Sequence, residues 1–283
     1  MMQFSDLALS KRLERAEGQA CLQYAKARRR MMPESGAEWM ELAGAYAVFD
    51  GSDSPATQTF CLGLFEELTA ETLEKIERFF LERSAPVQHE VSPLVGVPAM
   101  DMLCERGYRP MEVTSVVYRE LESGGALPAP PAAGEVKVRW IGPGEAELWA
   151  EVSARGWASE HPEFVEGIRD FGRVSAARDG SFCFLAEIDG QVGSAGVLFM
   201  HGGVALLGGS STVPEMRRRG MQTALLKTRL GFAAEMGCNV AMMGALPGSE
   251  SQRNAERQGF RIAYTRTKWK LHRGADADEP PAD

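Results

Sequence analysis

The spacing of apolar and polar positions divides the chain into alternating helical and strand-like stretches. Helical spacing runs from Phe4 to Arg30, stops before Pro33, and returns over 69–83, where Thr69 and Thr72 can cap the first turn. Between these helices, 37–50 reads as a strand or strand pair closed by Asp50-Gly51, and 57–65 as a further strand. A strand at 87–91, a short helix at 98–105 and a strand at 114–121 complete the first half. The second half predicts a strand at 136–141, helices at 145–155 and about 161–171, and a hairpin over 182–200 that turns at Asp189-Gly190. A strand at 204–213 follows, with Gly208 and Gly209 suggesting a bulge or a close backbone approach. A long apolar helix opens near Gly220, and a buried strand at 239–246, a short helix at 248–260 and a last strand at 262–272 end the pattern.

The pattern lapses twice. Residues 122–135, ESGGALPAPPAAGE, are rich in Pro, Ala and Gly and read as a linker, so two domains are expected, at 1–121 and 136–273. The acidic, Pro-containing tail 274–283 reads as disordered. The halves also share a motif: CERGYRP at 104–110 mirrors ERQGFRI at 256–262, each a helix end at Gly followed by an aromatic, an Arg and a long strand.

Composition narrows the classes. A globular balance of 44% hydrophobic and 25% charged residues, with no apolar run of membrane-spanning length and no leader-like N-terminus, predicts a soluble cytoplasmic protein. Five cysteines scattered singly and four histidines suggest neither a disulfide framework nor a metal site. The net charge of -8 argues against nucleic acid or an anionic membrane surface as partner. The charge is uneven, however, and 136–273 is the basic part.

That basic part contains Pro214-Glu-Met-Arg-Arg-Arg-Gly-Met-Gln-Thr-Ala-Leu-Leu226. Pro214 ends the preceding strand because it has no N–H for the ladder. The first turn of the helix then offers N–H groups without intrahelical partners, at the positive end of the peptide dipoles. With Arg217, Arg218 and Arg219 around it, this turn reads as a site for a pyrophosphate. A nucleotide hydrolase fits poorly, because no Gly-Lys-Ser/Thr follows the glycine.

These residues resemble the acyl-CoA pyrophosphate loop of the GNAT superfamily of N-acyltransferases, whose Gln/Arg-x-x-Gly-x-Gly/Ala pattern is met by Arg217 and Gly220 and departed from at Gln222. The resemblance implies a mixed α/β fold of two tandem GNAT-like domains, each a mostly antiparallel mixed sheet flanked by helices. The first is degenerate, since GLFEELTAETLEKI puts Glu66 and Glu67 where the loop would be. It further implies acetyl-CoA as co-substrate, no metal, and direct transfer of acetyl to a primary amine on a small-molecule or peptide acceptor, by a monomer or homodimer. Cofactor contacts would fall at Leu207, Ser211, Thr212, Val213, Arg217, Arg218, Arg219, Gly220, Met221, Gln222, Thr223, Ser251 and Asn254, and acceptor contacts at Trp157 and His161. Glu187 is the first candidate for general base, ahead of Glu160, His161 and His201. The family's usual tyrosine acid is replaced by Ala255, which leaves Tyr264 as the nearby phenol. The competing reading is a non-catalytic acyl-CoA-binding regulatory module.

Overall fold

The computed structural model describes residues 5–122, 135–158 and 165–272. The interior of the linker, the tail, Glu160 and His161 lie outside these residues. In chain order the elements are α1 (Leu7–Met31), β1 (Glu38–Leu42), β2 (Ala45–Phe49), β3 (Gln58–Phe60), α2 (Ala70–Leu81), β4 (Gln88–Val91), α3 (Val97–Glu105) and β5 (Tyr108–Glu120). They continue with β6 (Lys137–Trp140), α4 (Ala146–Trp157), α5 (Val165–Ala177), β7 (Ser181–Ile188), β8 (Gln191–His201), β9 (Val204–Thr212), α6 (Met221–Glu235), β10 (Val240–Ala245), α7 (Glu250–Arg257) and β11 (Arg261–Leu271). Among the described residues no helix is long and apolar enough to cross a membrane.

The chain folds as two compact units, Met1–Val117 with Gly244–Asp283, and Tyr118–Met243. This division departs from the expected boundary at the linker. The last strand, β11, pairs antiparallel with β4 from Thr267↔Val91 to Lys270↔Gln88, so the C-terminal residues complete the first unit's sheet.

In the first unit the strand order is β1-β2-β3-β4-β11-β5. Residues of β2 alternate between two cores: Tyr46 packs with Leu22, Phe60 and Cys61, while Ala45 and Ala47 join Leu73, Ile76, Phe80 and Leu103 of the helices. Full burial of Leu73, Ile76 and Phe80 contributes about 1.5–3 kcal/mol each. The expected strand at 57–65 is shorter than its pattern, because Cys61 takes a φ of 65° and turns the chain out of the sheet. The shared motif is real in three dimensions: α3 and α7 each end two residues before a positive-φ glycine, Gly107 and Gly259, and lead into β5 and β11.

A charged cluster lies inside this unit. The buried Arg266 guanidinium pairs with Glu14 at 3.2 Å, Glu17 at 2.7 Å and Glu90 at 2.8 Å. Burial alone would lower its pKa, but the three carboxylates outweigh this and hold it well above its ordinary value. Burial pushes the Glu14 carboxyl up to about 7, against the pull of Arg266. A carboxyl raised from 4.5 in the unfolded chain to about 7 in the folded one stabilises the fold fully below pH 4.5 and ceases to do so as pH rises through 7. The loss is about 3 kcal/mol. Glu14→Gln keeps the oxygen that accepts from Tyr264 and Arg266. It is expected to flatten this part of the pH dependence, read as the difference in urea midpoint between pH 5 and pH 8.

In the second unit the order is β10-β9-β8-β7-β6. The β7–β8 hairpin turns at Asp189 and Gly190, both with positive φ (51° and 77°), as a two-residue primed turn requires. Helix α4 anchors on the sheet through Trp149, whose buried indole N–H donates to the carbonyls of Phe184 (3.1 Å) and Gly196 (3.3 Å). Helix α6 covers the far strands, where Phe232 meets Trp140, Phe182 and Phe184 with ring centroids 5.0–5.5 Å apart.

Candidate functional site

Strands β9 and β10 run parallel and pair only at Val204↔Val240, Ala205↔Ala241 and Leu206↔Met242. Strand β9 continues to Thr212, so the two part company in mid-sheet and leave the later residues of β9 without that neighbour. On its other side β9 carries a bulge: Val197 faces Gly208 and Ala195 faces Ser211, so Gly209 and Ser210 together oppose Gly196. Gly209 takes a φ of 55°, the left-handed region in which glycine meets no Cβ penalty.

Beyond Thr212 the chain makes one short helical turn, Pro214–Met216, and then bends through Arg218 (φ 62°) and Gly220 (φ 79°) into α6. A left-handed arginine costs about 1 kcal/mol. The N–H of Arg217 is bonded back to the Pro214 carbonyl, and the first bond into α6 is from Ala224 N to Gly220 O. Among the described residues the successive N–H groups of Arg218 to Thr223 have no acceptor, and α6 has no side-chain cap. An ideal Cβ built on Gly220 meets nothing within 4 Å, so the space before the helix is open. Consecutive donors at a bend, at the positive end of a helix, form a concave receptor for an anion.

The three arginines divide their work. Arg217 donates to the carbonyls of Thr212 (Nε, 3.2 Å) and Gly156 (Nη2, 3.0 Å), and so braces the loop against β9 and the end of α4. Arg218 and Arg219 are exposed, and neither has an ion pair among the described residues. The resemblance implies cofactor contacts at all three; the side chain of Arg217 braces the bend that the other two flank. Gln222, the departure from the family pattern, does not crowd the open space. Its amide donates to Thr212 Oγ1 at 2.9 Å, Thr212 lies 2.9 Å from Ser194 Oγ, and Ser194 donates to the Ser211 carbonyl at 2.5 Å.

The other predicted contacts on β9 are held inside the unit. Leu207 is buried in register with Leu198, Ser211 Oγ donates to the Ser153 carbonyl at 3.1 Å, and Val213 N donates to Gly193 O at 2.9 Å. Met221 is buried under the helix start, whereas Thr223 faces solvent. Trp157, half-buried, is the last residue of α4. Ser251 and Asn254 lie exposed on α7, in the first compact unit, and Asn254 Oδ1 accepts from Arg257 at 2.8 Å.

Both candidates for proton transfer are committed elsewhere. Tyr264 is buried, and its phenol donates to Glu14 at 2.7 Å; burial, reinforced by Glu14, drives its pKa far up. Glu187 sits on β7 beside Lys137 (3.2 Å) and Arg139 (3.7 Å) of the edge strand β6. One whole strand separates it from β9, about 10 Å across the sheet. These are the two groups that the resemblance implies as base and acid, and each has the partners just named. Ala255, where the family's tyrosine would stand, is itself packed in the first unit's interior. Of the other base candidates, His201 ends β8, half-buried.

Two residues of the site went unread in the sequence. Gly156 sits where α4 touches β9, and an ideal Cβ there lies 2.5 Å from Ser211 Cβ and 3.0 Å from Thr212 N. Arg229, on the sheet-facing stripe of α6, reaches the bulge itself. Its signal was present, since Met221, Leu225 and Arg229 recur at i, i+4 and i+8 and place a charge on an apolar face.

Residues 147–260 match the model of the acetyltransferase (GNAT) family. No curated protein sequence matches the chain. Among solved structures, a GCN5-related N-acetyltransferase from Kribbella flavida is similar with a TM-score of 0.58 at 15% identity, over 90% of this chain and 96% of that one. A tandem GNAT protein from the clavulanic acid biosynthesis pathway gives a TM-score of 0.57 at 13% identity, over 94% of each chain. A GCN5-related N-acetyltransferase from Sphaerobacter thermophilus gives 0.52 at 16% identity, over 83% of this chain and 75% of that one. At such identities the likeness is one of fold.

Proposed function

We propose that this chain, whose residues 147–260 form an acetyltransferase domain of the GNAT family in a tandem GNAT fold, is an N-acetyltransferase that moves the acetyl group of acetyl-CoA directly to a primary amine. The observation that carries the reading is the run of unpaired N–H groups from Arg218 to Thr223, opening beside the point where β9 leaves β10. The donors and the Arg218 and Arg219 side chains suit a diphosphate. The unpaired length of β9 suits an extended pantetheine arm with amide groups of its own, and the bulge at Gly208–Ser210 suits the thioester. Trp157, at the end of α4, is the acceptor contact this reading keeps among the described residues.

The protein's part in such a transfer is to hold the amine against the thioester carbon and to stabilise charge on the carbonyl oxygen. An amine with a pKa near ~10.4 must lose a proton before it attacks, and water at an open site can carry that proton away. A CoA thiolate is a tolerable leaving group, so the reading does not depend on Tyr264, whose phenol donates to Glu14.

Full-length protein is expected to bind acetyl-CoA by calorimetry and to release CoA when incubated with it and a panel of polyamines, amino acids and peptides. Binding without release for every amine would favour the second reading, a non-catalytic acyl-CoA-binding module, which the commitment of Tyr264 and Glu187 supports. No binding at all would defeat both.

A further inference from the structure

The β9 bulge is held by a charge. The Arg229 guanidinium is 1% exposed and donates to Val197 O (2.9 Å), Gly208 O (3.2 Å), Ser210 Oγ (2.7 Å) and Leu225 O (3.3 Å). No carboxylate joins it among the described residues, and burial alone draws its pKa down to about 10, so it stays protonated at neutral pH. A buried cation without a counter-ion is costly to fold around. The sequence makes room for it: an ideal Cβ on Gly196 would stand 2.9 Å from Nη1 and 3.0 Å from Cζ. A side chain at residue 196 would therefore displace the guanidinium.

We propose that Arg229 is a positioning residue for the transfer step, which keeps the Gly208–Ser210 bulge open and polarises the Gly208–Gly209 peptide so that its N–H becomes a stronger donor to the thioester oxygen. This rests on the acetyl-CoA reading above. The carbonyl of Gly208 and the N–H of Gly209 belong to one peptide unit, and a charged donor on the oxygen strengthens what the N–H can give. Val197 and Gly208 are partners in the β8–β9 register beside the bulge, and the carbonyls of both accept from Nη1, which ties the two strands there to α6. In the step itself the amine nitrogen forms a bond to the carbonyl carbon, negative charge gathers on the carbonyl oxygen opposite the Gly209 N–H, and the C–S bond then breaks. Its electron pair leaves on sulfur as thiolate, and the proton lost by the amine goes to water.

The test uses full-length protein and acetyl-CoA labelled with ¹³C at the thioester carbonyl, observed by vibrational difference spectroscopy. Binding to the wild type is expected to move the carbonyl stretch to lower frequency. Arg229→Met should lose more than about half of that shift and Arg229→Lys should keep most of it, while both dissociation constants stay within about threefold of wild type. A purely structural role would instead change affinity and shift together in both variants, and that result overturns the proposal. An equal shift in wild type and Arg229→Met overturns it as well. If Arg229→Met does not fold, the wild-type shift and Arg229→Lys decide the matter. Wild type that binds no acetyl-CoA defeats the parent reading, whereas wild type that binds it with an unshifted carbonyl defeats this one alone.

Discussion

Gly156→Ala is expected to lower stability by about 1–3 kcal/mol and to weaken acetyl-CoA binding more than about tenfold, despite alanine being the better helix former by about 1 kcal/mol. The added methyl would stand 2.5 Å from Ser211 Cβ and 3.0 Å from the backbone nitrogen of Thr212, and strand backbone cannot yield as a flexible side-chain tip can. Either α4 or β9 must move. The Gly156 carbonyl holds Arg217 and the Thr212 carbonyl holds its other branch, so movement there reaches the bend before α6. Urea denaturation and calorimetry with acetyl-CoA measure the two effects separately. Unchanged stability would mean that helix and strand are less tightly apposed than described.

Arg218→Glu with Arg219→Glu is the complementary test, because both side chains are exposed and neither braces the fold. Each charge-assisted contact to a phosphate is worth about 1.5–3 kcal/mol, somewhat less at an exposed site, and reversal adds repulsion. The expected outcome is acetyl-CoA affinity reduced about 100-fold or more, with a much weaker dependence on salt and the urea midpoint unmoved. Affinity that survives the double reversal would show that the donors before α6 are not the pyrophosphate site.

These two substitutions mark what the sequence makes legible. The arginine bend could be read because its cause is local: Pro214 stops a strand, Gly220 allows a left-handed residue, and a helix begins. The Asp189-Gly190 hairpin and the Thr69 cap were readable for the same reason. What escaped depends on distant partners. Arg229 looks like one more surface arginine until Val197 and Gly208, 32 and 21 residues away, close around it. Strand β11 was placed with the second half by order alone, yet its partner β4 lies far earlier in the chain. Tyr264 stands out as a candidate acid through its nearness in sequence to the last helix, and it is Glu14, 250 residues back, that accepts its hydrogen bond. Helix periodicity placed α5 with its end at 171, whereas it runs to Ala177, since Val174 and Ser175 continue the buried stripe.

The two halves of this chain differ at one helix terminus. Helix α2 begins at Thr69, whose hydroxyl accepts from the N–H of Thr72 at 3.1 Å, while α6 begins at Gly220, which has no hydroxyl to offer. One residue type makes the difference: α2 satisfies a first-turn donor through its own cap, and α6 leaves that demand to be met from outside. On the proposed reading, ligand capacity follows the cap, so a gain or loss of occupancy between related chains can be sought first at the residue that precedes the helix.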